Sequence, residues 1–247
     1  MPMARLDKLR IAQPIGFVKR FLNTKVDLGK YDPTQVGLMN ENCIAVNEND
    51  HVTGQISKME CHLNENGPPL HRAFSLFLFN SNKELLMQKR ASSKITFPGF
   101  YTNTCCSHPL FCEREMDDTD ALGIKKAAQR RALYELGIPE EQLPISLMQY
   151  ITRVHYKAPS GELWGEHEID YVLFAQQDVK LNVNKNEVSE VQWVSLENLQ
   201  DFMDKCMISG TPLTPWFQLI TKTQLRNWWS NLHRLNDLCD HKNITRF

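Results

Sequence analysis

Residues 96–109 read Thr-Phe-Pro-Gly-Phe-Tyr-Thr-Asn-Thr-Cys-Cys-Ser-His-Pro, with one proline near the start and another at the end. No regular helix fits there, because proline removes a backbone donor and clashes with the preceding turn. The stretch is therefore extended or irregular, and the flanking elements have to pack around it. It also concentrates chemistry, since Cys105, Cys106 and His108 are near neighbours. Two readings compete: a structural turn with small polar side chains, or a reactive thiol beside a metal-ligating histidine. A free cysteine is usually a small buried hydrophobe, so residues elsewhere in the chain have to decide.

The 247 residues are 42% hydrophobic, enough for one sizeable core. With 28 basic and 29 acidic residues, the formal net charge is -1. No global field draws such a chain to nucleic acid or to an anionic membrane, and an anionic substrate must be held locally. The apolar runs fall short of the roughly 20 residues that a membrane-spanning helix needs. The densest run, 73–79, suits a buried strand. Seven cysteines with no paired C-x-x-C units suggest reduced thiols in a cytosol-like compartment. Residues 1–40 read as a basic N-terminal arm carrying Arg5, Lys8, Arg10, Lys19, Arg20 and Lys25. Both a disordered tail and a weak mitochondrial presequence match that composition. The expected address is cytoplasmic, with mitochondrial or peroxisomal delivery as alternatives, although Thr245-Arg246-Phe247 is not a standard peroxisomal tripeptide. The expected partner is a small molecule, and the expected state is a monomer.

Short β-branched runs on either side of an Asn/Asp-rich turn predict a hairpin over 43–55. Gly67, Pro68 and Pro69 exclude helix from the polar loop that follows. A strand over 72–80 and a return strand over 84–90 predict a second hairpin. Asp117, Asp118, Thr119 and Asp120 provide capping and first-turn residues for a helix from about Ala121. Ala127, Ala128, Leu133 and Leu136 give it an apolar stripe, and Gly137 is its stop. Strands over 146–157, 168–176 and 188–194 come next, the first two joined by a turn at 159–161. Ser195 is placed as the N-cap of another helix. A terminal helix runs from Pro215 to about Leu238, with Trp228 and Trp229 in the core. This order predicts an α+β domain over 41–247, a mixed sheet with helices on its faces.

The side chains for a divalent-metal site can be counted. His62 and His71 flank the Gly-Pro loop, His108 follows Cys106, and Glu166 and Glu168 bracket His167. Residues two apart on an extended chain face the same way. Glu166 and Glu168 can therefore converge while His167 points away, and Cys106 can share a face with His108 while Cys105 lies behind. That parity selects Cys106 as the reactive candidate. Three imidazoles and two carboxylates are too many for a tetrahedral structural zinc and include no thiolate. The set suits a six-coordinate ion such as Mg²⁺ or Mn²⁺ with a position left for substrate, and three histidines keep Zn²⁺ as an alternative. Lys58, Arg90, Lys94 and Arg131 form an anion-binding inventory near the same loops. Arg131 and Glu135 are either an ordinary helical ion pair, worth a few tenths of a kcal/mol, or part of a diphosphate clamp in which Glu135 holds a second Mg²⁺.

These motifs resemble those of the type I isopentenyl-diphosphate delta-isomerases, a Nudix-fold family. The resemblance runs from about Glu41 to the C-terminus. It rests on Leu-His-Arg-Ala-Phe-Ser at 70–75, Phe-Pro-Gly at 97–99, Thr-Asn-Thr-Cys-Cys-Ser-His-Pro at 102–109, Arg-Arg-Ala-Leu-Tyr-Glu-Leu-Gly at 130–137, Trp-Gly-Glu-His-Glu-Ile-Asp-Tyr at 164–171 and Thr-Pro-Trp at 214–216. The hydrolytic Nudix box ends in R-E-U-x-E-E-x-G-U, where U is a bulky aliphatic residue. Here Arg131 and Tyr134 stand in place of two of its acids, which argues against pyrophosphohydrolysis.

The resemblance implies a Nudix-like mixed sheet sandwiched by helices, with an added N-terminal hairpin and C-terminal helices. It implies His62, His71, His108, Glu166 and Glu168 as ligands of one metal ion, and Glu135 as ligand of a second Mg²⁺ carrying the substrate's diphosphate. Lys58, Arg90, Lys94 and Arg131 would contact that diphosphate. Cys106 and Glu168 would be the proton-transfer pair, assisted by Tyr156, with Trp216 facing a carbocation. The implied reaction interconverts isopentenyl and dimethylallyl diphosphate in isoprenoid biosynthesis, sterols included. The direction of proton transfer stays open. So do two rival readings, a Nudix-type diphosphohydrolase and a metal-stabilised binding protein.

Overall fold

The densest apolar run forms a strand, His71–Phe79, buried at all nine positions. A strand covered on both faces reads as a continuous apolar run rather than an alternating one. A computed structural model describes residues 26–65 and 67–247, and contacts gather Tyr31–Phe247 into one unit. Most of the basic arm lies outside the described residues, but its last part is folded. Asp32 caps helix α1 (Pro33–Leu38) by accepting from the amides of Thr34 and Gln35, with Pro33 in the first turn. The folded unit thus begins ahead of the boundary expected at residue 41.

The other elements follow as β1 (Asn42–Val46), β2 (Val52–Ser57), α2 (Lys58–His62), β3 (His71–Phe79), β4 (Leu85–Arg90), β5 (Tyr101–Thr102) and β6 (Cys105–Ser107). After them come α3 (Leu122–Leu136), β7 (Gln149–Ser160), β8 (Trp164–Gln176), β9 (Val188–Val194), α4 (Leu199–Ile208), α5 (Pro215–Ile220), α6 (Arg226–Ser230) and β10 (Asp240–Arg246). Among the described residues, no helix is long and apolar enough to cross a membrane.

β3 is the axis of a mixed sheet. Along one edge it runs parallel to β8, from His71 opposite Glu168 to Phe79 opposite Gln176. Along the other edge it meets β1 at His71, β6 through Ser75 opposite Cys106 and Leu76 opposite Cys105, and β4 at Phe79. One sheet face, with Phe77, Phe79, Val172 and Phe174, packs on Trp216, Phe217, Trp228 and Trp229 from the C-terminal helices. The opposite face, with Phe74, Leu76, Leu78 and Ile169, packs on Ala127, Ala128, Ala132 and Leu136 of α3. The α+β architecture expected from the order of elements is the one present.

Several local expectations need correction. The second hairpin opens after the single pair of Phe79 with Leu85, because β6 takes that edge of β3 and β4 pairs with β9 and β5 instead. No aspartate caps α3: Ala121 at its N-cap is left-handed (φ 53°) and makes no side-chain cap, while Asp120 pairs with Lys125. Leu133 is 45% exposed rather than part of a core stripe, and Arg131 and Glu135 occupy the buried face instead. Gly137 does end the helix, at φ 65°, and a Cβ there would lie 2.3 Å from the Asn182 carbonyl oxygen. β7 starts later than expected, behind a short 3₁₀ turn at Ile145–Leu147, and β8 starts earlier, at Trp164. Ser195 accepts from the Asn198 amide in a turn ahead of α4 instead of capping it. The single terminal helix is broken by a π turn at Thr221–Leu225 and a kink at Arg234, and the chain closes with an unpredicted strand, β10, parallel to β7.

Candidate active site

Three imidazoles meet where α2, β3 and the segment after β6 converge. The ring centroids of His62, His71 and His108 lie 5.0 to 5.5 Å apart. α2 exists because Ser57 and Glu60 form a reciprocal capping box, and this short helix turns His62 inward. His62 Nδ1 donates to the Lys58 carbonyl at 2.5 Å and His71 Nδ1 to the Pro69 carbonyl at 2.8 Å, so each ring turns its Nε2 edge into the cluster. Glu166 and Glu168 alternate on β8 as expected, while His167 faces away and stacks on His155.

The donor set fits a cation. His62, His71, His108 and Glu166 offer ligand atoms all within 4.8 Å of one another, and all four residues are buried. Nε2 of His71, Nδ1 of His108 and Oε2 of Glu166 are buried without hydrogen-bond partners. Glu168 stands at the rim, with Oε1 2.8 Å from His108 Nε2 and 3.6 Å from His71 Nε2. Burial would raise its pKa, but the two imidazoles outweigh that and hold the carboxyl well below the usual range. Burial would likewise lower His71, yet Glu168 pushes it up to about 9. Burial keeps His108 well below the ordinary histidine value.

Cys106 lies across β3 from Glu168, opposite Ser75 on the other strand edge. The two thiols separate as parity predicts: Cys105 is fully buried on the α3 side, and Cys106 packs on the side of the C-terminal helices. Cys106 Sγ donates to Asn103 Oδ1 at 3.0 Å and accepts from Trp216 Nε1 at 3.1 Å, with Ser75 Oγ at 3.5 Å and Thr102 Oγ1 at 3.7 Å. Burial, reinforced by Asp170, pushes the thiol up to about 12. The Tyr156 hydroxyl hydrogen-bonds Glu168 Oε2, and the Tyr156 ring lies 6.0 Å from that of Trp216. Phe97, left-handed at φ 49°, turns its ring edge-on to Trp216 at 5.2 Å.

A thiol and a metal-ready carboxylate in one pocket narrow the chemistry, and comparison with known proteins decides the family. The NUDIX domain model matches residues 69–217. Isopentenyl-diphosphate Delta-isomerase 1 of Bos taurus is 50% identical over 224 residues, which cover 90% of this chain and 99% of that protein. The isopentenyl-diphosphate delta-isomerase of Gibberella zeae is 50% identical over 211 residues, covering 83% and 82%. The chain belongs to the isopentenyl-diphosphate delta-isomerase family. A crystal structure of a Deinococcus radiodurans protein shares its fold, with TM-score 0.53 and 18% identity, over 74% of this chain and 99% of that one.

For a member of this isomerase family, the basic residues divide in two. Lys58, Arg90 and Lys94 line the same pocket as Cys106, Tyr156, Glu168 and Trp216. Arg90 also shapes it, donating to the carbonyls of Thr96 and Phe97 and so pinning the proline-bounded stretch. Arg131 and Glu135 do not line the pocket. Arg131 bonds Glu135 at 2.7 Å and Glu187 at 3.1 Å, and the second Glu135 oxygen accepts from Gln88 at 3.1 Å. Arg131 takes Glu135 Oε1, while Oε2 carries the single Gln88 bond and keeps an acceptor position free.

Four residues without a role in the sequence motifs belong to this isomerase site. Asn103 and Ser75 touch the thiol. Asp170 accepts from Ser75 Oγ at 2.7 Å. Glu187 binds Lys94 and Arg131. Asp170 is findable by parity, since it continues the alternation of Glu166 and Glu168 along β8. Glu187 carries no local signal.

Proposed function

We propose that this chain interconverts isopentenyl diphosphate and dimethylallyl diphosphate, a step of isoprenoid biosynthesis. The carrying observation is that Cys106 and Glu168, attached to opposite edges of one strand, line a single pocket. Moving the double bond requires a proton added at C4 and another removed from C2, through a tertiary carbocation. Two positioned proton-transfer groups are therefore needed, each within hydrogen-bond reach of its carbon in the bound complex. Cys106 and Glu168 are those groups: one gives a proton to carbon and the other takes one, and the reverse reaction exchanges the roles. Tyr156 donates to Glu168, and Trp216 and Asn103 hold the thiol from two sides.

Trp216 also offers its indole face to the cation, worth about 2 kcal/mol when desolvated. Enzymes lower barriers by roughly 8 to 23 kcal/mol, so positioned proton transfer carries most of the acceleration. His62, His71, His108 and Glu166, with Glu168 at the rim, are the residues to hold a divalent ion, Mg²⁺ first, with Mn²⁺ or Zn²⁺ as alternatives. Such an ion, when bound, supplies fixed positive charge beside Glu168. Lys58, Arg90 and Lys94 take the diphosphate. Glu135, through its free Oε2 position, is the residue to hold a second Mg²⁺, and Arg131 joins the diphosphate contacts once its bond to Glu135 rearranges.

Purified protein incubated with isopentenyl diphosphate and Mg²⁺ tests the proposal. An acid-labile allylic diphosphate formed without phosphate release is the expected result. Released phosphate or pyrophosphate would instead favour a hydrolase, and unchanged substrate a binding protein.

A further inference from the structure

Glu187 lies outside the motifs and does not line the pocket, yet two expected diphosphate contacts meet on its carboxylate. Its Oε2 accepts from Lys94 Nζ at 2.5 Å and from Arg131 Nη2 at 3.1 Å, and its Oε1 accepts from Gln35 Nε2 at 2.9 Å. The residue is 1% exposed. Its backbone is pinned as well: the Ala91 amide, next to Arg90, donates to the Glu187 carbonyl at 2.9 Å, and the Glu187 amide donates to the Asn184 carbonyl at 3.0 Å. The carboxylate is thus held at one point relative to three candidate anion contacts.

Two buried cations brought close together repel each other, and burial disfavours the charged form of the lysine. Lys94 faces Glu187, Arg90, Arg131 and Glu135, with Lys58 and His62 across a small adjoining cavity. Cations thus crowd the ammonium, and Glu187 is the one carboxylate bonded to it among the described residues. Even so, burial holds Lys94 down at about 8. Burial would raise Glu187, but Lys94 and Arg131 outweigh it and hold the carboxyl down at about 2.

We propose that Glu187 is a positioning residue for diphosphate binding, holding Lys94 charged at the pocket wall before substrate arrives and keeping Arg131 beside it for the rearranged complex. The proposal rests on the reading of Lys94 and Arg131 as diphosphate contacts and adds the group that makes them ready. A merely structural ion pair would change stability without moving the pH dependence of substrate binding.

The test is steady-state isomerisation of isopentenyl diphosphate with Mg²⁺ between about pH 6 and 10, in the wild type, Glu187→Gln, Glu187→Asp and Lys94→Met. Glu187→Gln is expected to raise KM by about tenfold with kcat changed less than about threefold, and to move the alkaline limb of kcat/KM to lower pH. Glu187→Asp keeps the charge but withdraws it by one methylene, so it moves the limb the same way by less. Lys94→Met removes the limb. An unmoved limb in whichever Glu187 variants fold overturns the proposal. If Lys94→Met removes the limb while the Glu187 variants leave it in place, the proposal alone falls. If Lys94→Met changes neither KM nor the limb, the diphosphate assignment of Lys94 falls and takes the proposal with it.

Discussion

His62 Nε2 and Glu166 Oε2 lie 2.9 Å apart and face each other with lone pairs, because the His62 ring proton is directed to the Lys58 carbonyl. Two acceptors that close, both buried, call for a positive charge between them. In protein loaded with Mg²⁺, removing the ion with a chelator should therefore lower the melting temperature. At an ion concentration 100-fold above its Kd, the linked stabilisation is about 2.7 kcal/mol, or roughly 5 to 10 °C for a chain of this size. Differential scanning calorimetry with and without chelator checks this. His62→Ala should lose the shift together with the bound ion, measured by elemental analysis.

Cys106→Ala should lower kcat by about 10²- to 10⁴-fold, the usual worth of one positioned proton-transfer group. Its circular dichroism spectrum and metal content should match the wild type, since Cys106 is only partly buried and lies outside the ligand set. Turnover at the wild-type rate in this variant would remove the thiol from the mechanism.

Trp216 joins two functions that substitutions can separate. Trp216→Phe keeps an aromatic face but loses the donor to Cys106 Sγ, and should cost about fivefold in kcat, a typical net hydrogen bond of about 1 kcal/mol. Trp216→Leu loses the face as well and should cost a further factor of about 10 to 30, from the roughly 2 kcal/mol of a desolvated cation–π contact. Single-turnover rates of the two variants, measured side by side, separate the contributions.

Acid should destabilise the fold partly through Glu187. Its folded pKa is depressed to about 2 from an ordinary 4.5, so the stability it adds is complete above about 4.5 and is lost as the pH falls toward 2. Thermal melts of Glu187→Gln should be lower than those of the wild type at neutral pH, with a flatter decline below about pH 4.5. Parallel acid limbs for the two proteins would contradict this.

Away from the pocket, Asp50 at the β1–β2 turn receives Arg72 at 2.7 Å, Arg153 at 2.9 Å and the Tyr171 hydroxyl, tying the first hairpin to β3, β7 and β8. Asp50→Ala removes the shared carboxylate but leaves Arg72 on Asp118 and Arg153 on the His241 carbonyl, and should cost about 1 to 3 kcal/mol, read by urea denaturation. Steady-state KM measured below the unfolding transition should stay near wild type.

What the sequence reveals follows the range of the forces involved. Period-two alternation is local, so the convergence of Glu166 with Glu168 and the separation of Cys106 from Cys105 are both legible in residue order alone. α2 is legible in principle, since Ser57 and Glu60 spell a capping box, but the helix is one turn long and sits beside a Gly-Pro loop. β10 is not legible: its residues are mostly exposed and polar, and it is a strand only because β7 offers an edge. The helix start at Ala121 misleads for a similar reason, since residues with left-handed backbone replace the aspartate cap that composition suggests. Glu187 lies 93 residues from Lys94 and 56 from Arg131, so only the tertiary fold brings them together.

The pairing of β6 with β3 gives the adjacent cysteines another meaning. A strand that slips by one residue turns every side chain to the opposite face of the sheet. In most sequences, a one-residue insertion or deletion before β6 would point the reactive group into the helix layer and leave an inert neighbour at the pocket. Here the neighbour is also a cysteine, so a shift that turned Cys106 away would bring Cys105 round to face the substrate. The same slip would carry His108, one residue past the strand, off the imidazole cluster, so the doubled thiol spares the pocket's sulfur but not its metal ligand.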